Sequence, residues 1–226
     1  MLELVEKFIT ISGEAPIPGH PVYLIRFSKC NLSCIYCDTS NRNEVNYRIE
    51  NEDLLEDIIQ NTGCYPYLKV LFTGGEPLLD YREKSIYSII EKLKKVDFYI
   101  ETNGSIKIKK SRPDNCHYVC DWKTPSSGFN ESFNIENITC LSEKQDCIKF
   151  VVAESDLDWM KETVLFIYKK KPRIPIYISP CTEAVNIIRL VGYILKNKLP
   201  VSLSLQIHKM IWSEAGESSI INGTVV

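Results

Sequence analysis

From residue 2 to residue 206 the chain passes back and forth between two hydrophobic patterns. Short apolar runs read as strands at 22–27 (VYLIRF), 69–73 (KVLFT), 98–102 (FYIET), 118–122 (YVCDW), 146–153 (DCIKFVVA), 174–179 (IPIYIS) and 201–206 (VSLSLQ). Looser alternation predicts a first strand over 2–11. Between several of these runs, apolar residues recur at helical spacing. Helices are expected at 51–61, with Asn51 as cap and Leu54, Leu55, Ile58 and Ile59 on one face, at 84–95, at 156–169, and at 184–196 before Pro200.

Strands alternating with helices give an α/β chain with a mainly parallel sheet. The helices are too few for a complete eight-fold barrel, so the expected fold is an open, partial (β/α) barrel of about six parallel strands. Polar, irregular stretches at 105–115 and 126–144 stand where trimmed helices belong. No repeat or linker divides the chain, and residues 1–226 read as one domain with a patternless tail over 213–226.

The polar chemistry gathers at strand exits, where α/β folds place their sites. After the strand at 22–27, Cys30, Cys34 and Cys37 fall within eight residues. Thiolates this close in one loop can converge on a soft-metal centre. A structural zinc site ordinarily takes four ligands in two pairs, and no clean second pair is present; a disulfide cluster leaves one thiol over. A [4Fe-4S] cluster with one iron kept open fits the trio best. Arg26 lies inside the preceding strand, where a charge needs an opposite charge beside it. It either pairs with a core Glu or forms a fork for a ligand carboxylate, and its place just before the cysteine loop favours the fork.

Gly74-Gly75-Glu76-Pro77 leaves the next strand with two residues that let a ligand approach the backbone closely. Glu101, Thr102 and Asn103 are either a simple turn or a polar wall. Asp121, Trp122 and Lys123 read as pocket lining rather than a surface ion pair. Cys116, Tyr118 and Cys120 share one side of a strand, which favours packing over zinc binding with His117. Cys64, Cys140, Cys147 and Cys181 are scattered and read as buried or inert thiols. Strand alternation puts Gln206 and His208 on one side, within reach of a site at these exits.

Composition narrows the class. Lys plus Arg number 27 against 29 for Asp plus Glu, a net charge of -2 that gives no electrostatic reason to expect nucleic acid. No apolar run approaches a membrane span, and MLELVEKFIT lacks the basic start and apolar core of a secretion signal. With nine cysteines, a reducing, cytoplasmic setting is expected.

The cysteine spacing with Tyr36, followed by TGGEP (73–77), resembles the radical S-adenosylmethionine (SAM) superfamily. Within it the chain is most similar to the 7-carboxy-7-deazaguanine synthase family. That likeness is carried by Ser12-Gly13-Glu14, IRF with Arg26, CNLSCIYCDT, TGGEP, ETNG (101–104), DWKTPSSG (121–128) and LQIHK (205–209), in the family's order. The chain departs from the family at Ser12 and Ala15, where Gln and Gly are usual.

The resemblance implies a trimmed radical SAM core and a lyase that converts 6-carboxy-5,6,7,8-tetrahydropterin to 7-carboxy-7-deazaguanine with loss of ammonia. The reaction begins with a 5'-deoxyadenosyl radical taking hydrogen from C6 of the pterin and serves queuosine and deazapurine biosynthesis. The cofactors implied are a [4Fe-4S] cluster on Cys30, Cys34 and Cys37, SAM, and Mg²⁺ at Thr39. SAM positions map onto Tyr36, Cys37, Asp38, Gly75, Glu76, Asp121, Trp122, Lys123, Ser179, Pro180, Cys181 and Thr182. Substrate positions map onto Ile11, Ser12, Gly13, Glu14, Arg26, Thr73 and His208. The same resemblance implies a flavodoxin or ferredoxin as electron donor and a homodimer. Competing readings are a glycyl-radical activating enzyme acting on a protein partner, and a non-catalytic iron–sulfur or zinc module.

Overall fold

One sheet of nine strands carries the whole arrangement, in the order β3-β1-β2-β4-β5-β6-β7-β8-β9. Its strands are β1 (Leu2–Ile11), β2 (Pro21–Phe27), β3 (Tyr47–Ile49), β4 (Lys69–Gly74), β5 (Phe98–Thr102), β6 (Cys116–Asp121), β7 (Cys147–Val152), β8 (Ile176–Pro180) and β9 (Ser202–Leu203). The structure, a computed structural model, describes residues 1–39, 41–181, 184–211, 220–221 and 224–225. β1 is antiparallel to both β2 and β3. From β2 onward every neighbour is parallel, so β2 and β4 to β9 make seven parallel strands, against about six expected from sequence. β3 and β9 lie at opposite edges, so the barrel is open.

Helices cross over where the sequence carries helical periodicity. α1 (Asn51–Cys64) precedes β4, α2 (Arg82–Lys92) joins β4 to β5, α4 (Leu157–Lys170) joins β7 to β8, and α5 (Ile187–Lys196) joins β8 to β9. The connection from β5 to β6 holds no helix, and that from β6 to β7 holds only short 3₁₀ turns and the four-residue α3 (Asn137–Cys140). Those are the two polar stretches that sequence marked as trimmed.

Several boundaries moved for local reasons. Asn186 caps α5, its side-chain oxygen accepting the Ile188 and Arg189 N–H groups, so the helix begins after Asn186 rather than at 184. At α1 the capping position is Glu50, not Asn51, and no side chain bonds there. Of its expected apolar face, Leu54 and Ile58 are buried while Ile59 is 47% exposed. The last expected strand, 201–206, is cut to β9, and Ile207–Ile211 coil into α6. Among the described tail residues, β10 (Ile220–Ile221) and β11 (Thr224–Val225) pair antiparallel.

Strand alternation splits the sheet into two faces. Phe27, Phe72, Ile100, Tyr118, Cys120, Phe150 and Ile178 pack with Leu54, Ile86, Ile89, Met160 and Val164 of the helices. Phe72 stands between Phe27 and Phe98, with ring centroids 5.8 and 5.7 Å away. On the other face, Val22, Leu71, Tyr99, Val119 and Cys147 form a smaller cluster, closed by Ile17 from the loop after β1. Two residues further along β4, β5, β6 and β7 the same face turns polar, with Thr73, Glu101, Asp121 and Lys149. The sheet therefore has an apolar floor at its strand starts and a polar bowl at its strand ends.

Candidate active site: the cysteine loop over the polar end of the sheet

The bowl is a cavity of about 560 Å³ lined by residues from β1, β2, β4, β5, β6 and β7 and by the loop after β2. That loop is stitched to the sheet before it reaches the cysteines. Lys29 adopts φ 61° and donates its N–H to Arg42 O at 2.6 Å. Gly75 N donates to Phe27 O, and Glu76 N to Lys29 O, each at 2.9 Å. Tyr36 reaches across to the β6 and β7 exits: its hydroxyl shares a hydrogen bond with Thr124 Oγ1 at 3.1 Å and donates to Val151 O at 3.2 Å. Cys30, Cys34 and Cys37 all line the cavity and are half-buried.

These cysteines suit a multi-iron centre. The Cys30 sulfur accepts the Leu32 N–H at 3.4 Å and the Asn103 amide at 3.7 Å, the kind of donors that stabilise cluster thiolates. Burial pushes the Cys30 and Cys34 thiols up, and the positive charge of a bound metal centre would favour their deprotonated form. Among the described residues, no three His, Cys, Asp or Glu converge tightly enough for one metal ion. In a four-iron cluster each cysteine takes its own iron, so its sulfurs stand farther apart than the ligands of a single ion.

The Gly-Gly-Glu-Pro turn brackets the loop from below, and only its glycines reach the cavity. Gly74 has φ +124°, and a Cβ there would lie 2.3 Å from Phe27 O. Glu76 is fully buried and faces away from the cavity. Its carboxylate accepts Thr102 Oγ1 and Asn103 N at 2.8 Å and Leu78 N at 3.0 Å. Burial raises its pKa, opposed by those same donors. It ties the β4 exit to the β5 exit.

Charge is arranged across the bowl. Arg26 Nε pairs with Glu6 Oε1 at 2.5 Å, and its Nη1 donates to Thr39 Oγ1 at 3.2 Å. Both sequence roles for Arg26 thus keep a footing: it has a carboxylate partner, and it still lines the cavity. Thr73 donates to Glu101 at 2.9 Å. Lys149 Nζ pairs with Glu14 at 2.5 Å and lies 3.8 Å from Glu101. Lys123 pairs with Asp121 at 2.7 Å, and although burial opposes its charge, Asp121 raises its pKa overall.

The Radical SAM superfamily model matches residues 24–117. The 7-carboxy-7-deazaguanine synthase of Clostridium acetobutylicum is 34% identical over 221 residues, covering 93% of this chain and 96% of that protein. The chain belongs to the 7-carboxy-7-deazaguanine synthase family. The synthase of Methanospirillum hungatei is 33% identical over 214 residues, covering 93% of this chain and 85% of that one. In fold, the chain is similar to the crystal structure of QueE from Escherichia coli, with a TM-score of 0.68 at 24% identity over 91% of this chain and 93% of that one. As a member of this synthase family the protein is a radical SAM lyase, and the family implies a [4Fe-4S] cluster and SAM.

Against that membership, the structure brings most of the sequence-predicted positions to one cavity. Ile11, Ser12, Gly13, Glu14, Arg26 and Thr73 line it, as do Tyr36, Cys37, Asp38, Thr39, Gly75, Asp121, Lys123 and Cys181. Glu76, Trp122, Ser179 and Pro180 are not among the residues that line it. Trp122 points to the opposite face, stacked on Phe133 with centroids 4.1 Å apart and donating Nε1–H to Asn130 O. Ser179 is buried within β8, next to Ile178 of the core. Thr182 lies outside the described residues. His208 falls in α6 rather than on a strand, so strand alternation does not place it, and its side chain is likewise outside what is described.

Sequence reasoning missed Lys149 altogether, read Glu101 as a turn or a polar wall, and gave Gln206 and Lys209 no specific role, yet all four line the cavity. The signal was there to use. Lys149 interrupts an apolar strand two places after Cys147, at the same parity as Glu101 after Tyr99.

Proposed function

We propose that this chain converts 6-carboxy-5,6,7,8-tetrahydropterin to 7-carboxy-7-deazaguanine with loss of ammonia, within deazapurine and queuosine biosynthesis. Arg26 carries the reading: a cation on the concave face, lining the same cavity as the three cysteines, is matched to a substrate that brings a carboxylate. When bound on Cys30, Cys34 and Cys37, a [4Fe-4S] cluster supplies the electron that splits SAM into methionine and a 5'-deoxyadenosyl radical.

The chain's own residues then divide the cavity. Tyr36, Asp38, Gly75, Asp121, Lys123 and Cys181 surround SAM near the cysteine loop, with Lys123 and Asp121 held as an ion pair. Arg26 orients the substrate carboxylate, and Ile11 to Glu14 close over the pterin from the loop after β1. Thr39 Oγ1, 3.4 Å from Asp38 Oδ1, is a hard oxygen that would hold Mg²⁺ beside the substrate carboxylate. The hydroxyl accepts a hydrogen bond from Arg26 Nη1, so the oxygen that would hold Mg²⁺ stands beside the cation that would orient the substrate carboxylate. Family membership alone supports a flavodoxin or ferredoxin donor, a homodimer and a cytoplasmic setting. No helix among the described residues is long and apolar enough to cross a membrane.

Anaerobic incubation of reconstituted protein with dithionite, SAM, Mg²⁺ and the carboxy-tetrahydropterin tests the proposal. The deazaguanine chromophore is the expected result. Formation of 5'-deoxyadenosine with the pterin left unchanged would move the chain to a radical SAM enzyme of other specificity, including the activation of a protein partner.

A further inference from the structure

Asn103 directly follows β5 and is 7% exposed. Its side-chain amide nitrogen has two protons to place. One goes to Asn31 Oδ1 at 2.9 Å and the other to the Cys30 sulfur at 3.7 Å. Its amide oxygen is taken by Ser105, which donates to it from the backbone N–H at 3.0 Å and from Oγ at 2.6 Å. Asn31 closes the circle, donating its own amide N–H to Ser105 Oγ at 2.8 Å. Each side chain of this ring of three thus donates to the next. Turning the Asn103 amide over would set its NH₂ against the Ser105 N–H, so the ring fixes which atom faces the sulfur.

The backbone of Asn103 is held as firmly. Its N–H donates to one oxygen of the buried Glu76 carboxylate at 2.8 Å, and Thr102 Oγ1 donates to the other at 2.8 Å. Glu76 leaves the β4 exit, and its own N–H bonds Lys29 O, one residue before Cys30. The same two exits therefore carry both the amide and the cysteine it meets. Tying the cysteine loop to β5 needs only the bond to Asn31. What is left over is an amide N–H aimed at a cysteine sulfur. In an iron–sulfur centre the negative charge on such sulfurs grows on reduction, and N–H donors to them favour the reduced form.

We infer that Asn103 is a positioning residue that acts through Cys30: its amide N–H, steered by Ser105 and Asn31, donates to the sulfur and makes one-electron reduction of the cluster easier. The inference rests on Cys30 as a cluster ligand, as proposed above, and is independent of which substrate the cavity takes. Asn103→Asp keeps the side-chain shape and the acceptor for Ser105 but loses both donors. Asn103→Ala loses them without adding a charge. Ser105→Ala leaves the amide in place and removes one of the two donors that orient it.

Reconstituted parent and variants are titrated with dithionite in the absence of SAM, following the electron paramagnetic resonance signal of the reduced cluster, with iron per chain measured alongside. At a fixed potential the ratio of reduced to oxidised cluster is expected to fall about threefold to tenfold in both Asn103 variants, tenfold being about 59 mV for one electron. Ser105→Ala moves the same way by less. Asn103 variants that titrate with the parent overturn the inference, whether their iron content is full or reduced, because a loop tie alone changes loading and not potential. If neither variant holds a cluster, Ser105→Ala decides by the same titration. A parent that binds no cluster, or a Cys30→Ala protein that keeps a complete one, overturns the ligand assignment instead, and is told apart because it needs no change at Asn103.

Discussion

A Cβ on Gly75 would stand 1.8 Å from the carbonyl oxygen of Lys29, the residue that opens the cysteine loop. Backbone lies against backbone here, and neither side is a flexible side chain that can swing away. The Glu76 N–H bonds that same oxygen at 2.9 Å, so the contact is held as well as tight. Gly75→Ala therefore has to push the cysteine loop off the β4 exit. We expect a stability loss of about 1–3 kcal/mol and, more tellingly, a drop in iron bound per chain after reconstitution. Full iron content with an unchanged melting curve would show that the loop does not depend on this contact.

Arg26→Ala removes the cation facing Thr39 and leaves Glu6, whose side chain is 37% exposed, able to turn to water. Folding and cluster loading should survive. Loss of a charge-assisted pairing with the substrate carboxylate is expected to raise KM for the pterin by about tenfold to a hundredfold, with Arg26→Lys intermediate because an ammonium cannot make the fork. Binding of the pterin as tight as in the parent would mean that pairing with Glu6 is all Arg26 does.

Cys34→Ala should abolish the brown iron–sulfur absorbance, whereas Cys181→Ser should keep it. Both thiols line the cavity, but only Cys34 belongs to the closely spaced trio. A cluster retained in the first variant, or lost in the second, would change the ligand set.

The remaining thiols differ in a way sequence did not foresee. Cys64, read from sequence as buried or inert, is exposed at the end of α1, while Cys116, Cys120 and Cys147 are buried. Burial pushes the Cys116 thiol from the ordinary 9.0 to about 12. At about pH 8 iodoacetamide should label Cys64 in the native protein and reach Cys116, Cys120 and Cys147 only after denaturant, read by peptide mass spectrometry. The sign for stability follows from the raised value: the folded state holds this proton more tightly. Its contribution is full below 9.0 and falls as pH climbs toward about 12. Equal labelling of buried and exposed sites would show that the core opens readily.

The strand positions and the cysteine trio were legible because each is a local pattern. Alternation over five or six residues shows which side of a strand is apolar, and three thiols within eight positions find one another without help from the rest of the chain. The inward turn of Glu76 was not legible, because a carboxylate after two glycines looks the same in sequence whether it faces a ligand or bonds Thr102 and Asn103. The run 201–206 looked like a full strand, yet the edge position of β9 gives it a pairing partner on one side only, and it pairs over just two residues.

The sequence by itself determined the α/β alternation, the cysteine loop and the family to which they belong, since these depend on residues near one another along the chain. Tertiary structure alone decided that Glu14 meets Lys149 across 135 positions and Gln206 across 192. Such meetings depend on strand order and register, which arise from packing the whole sheet against its helices, and no local stretch of chain encodes them.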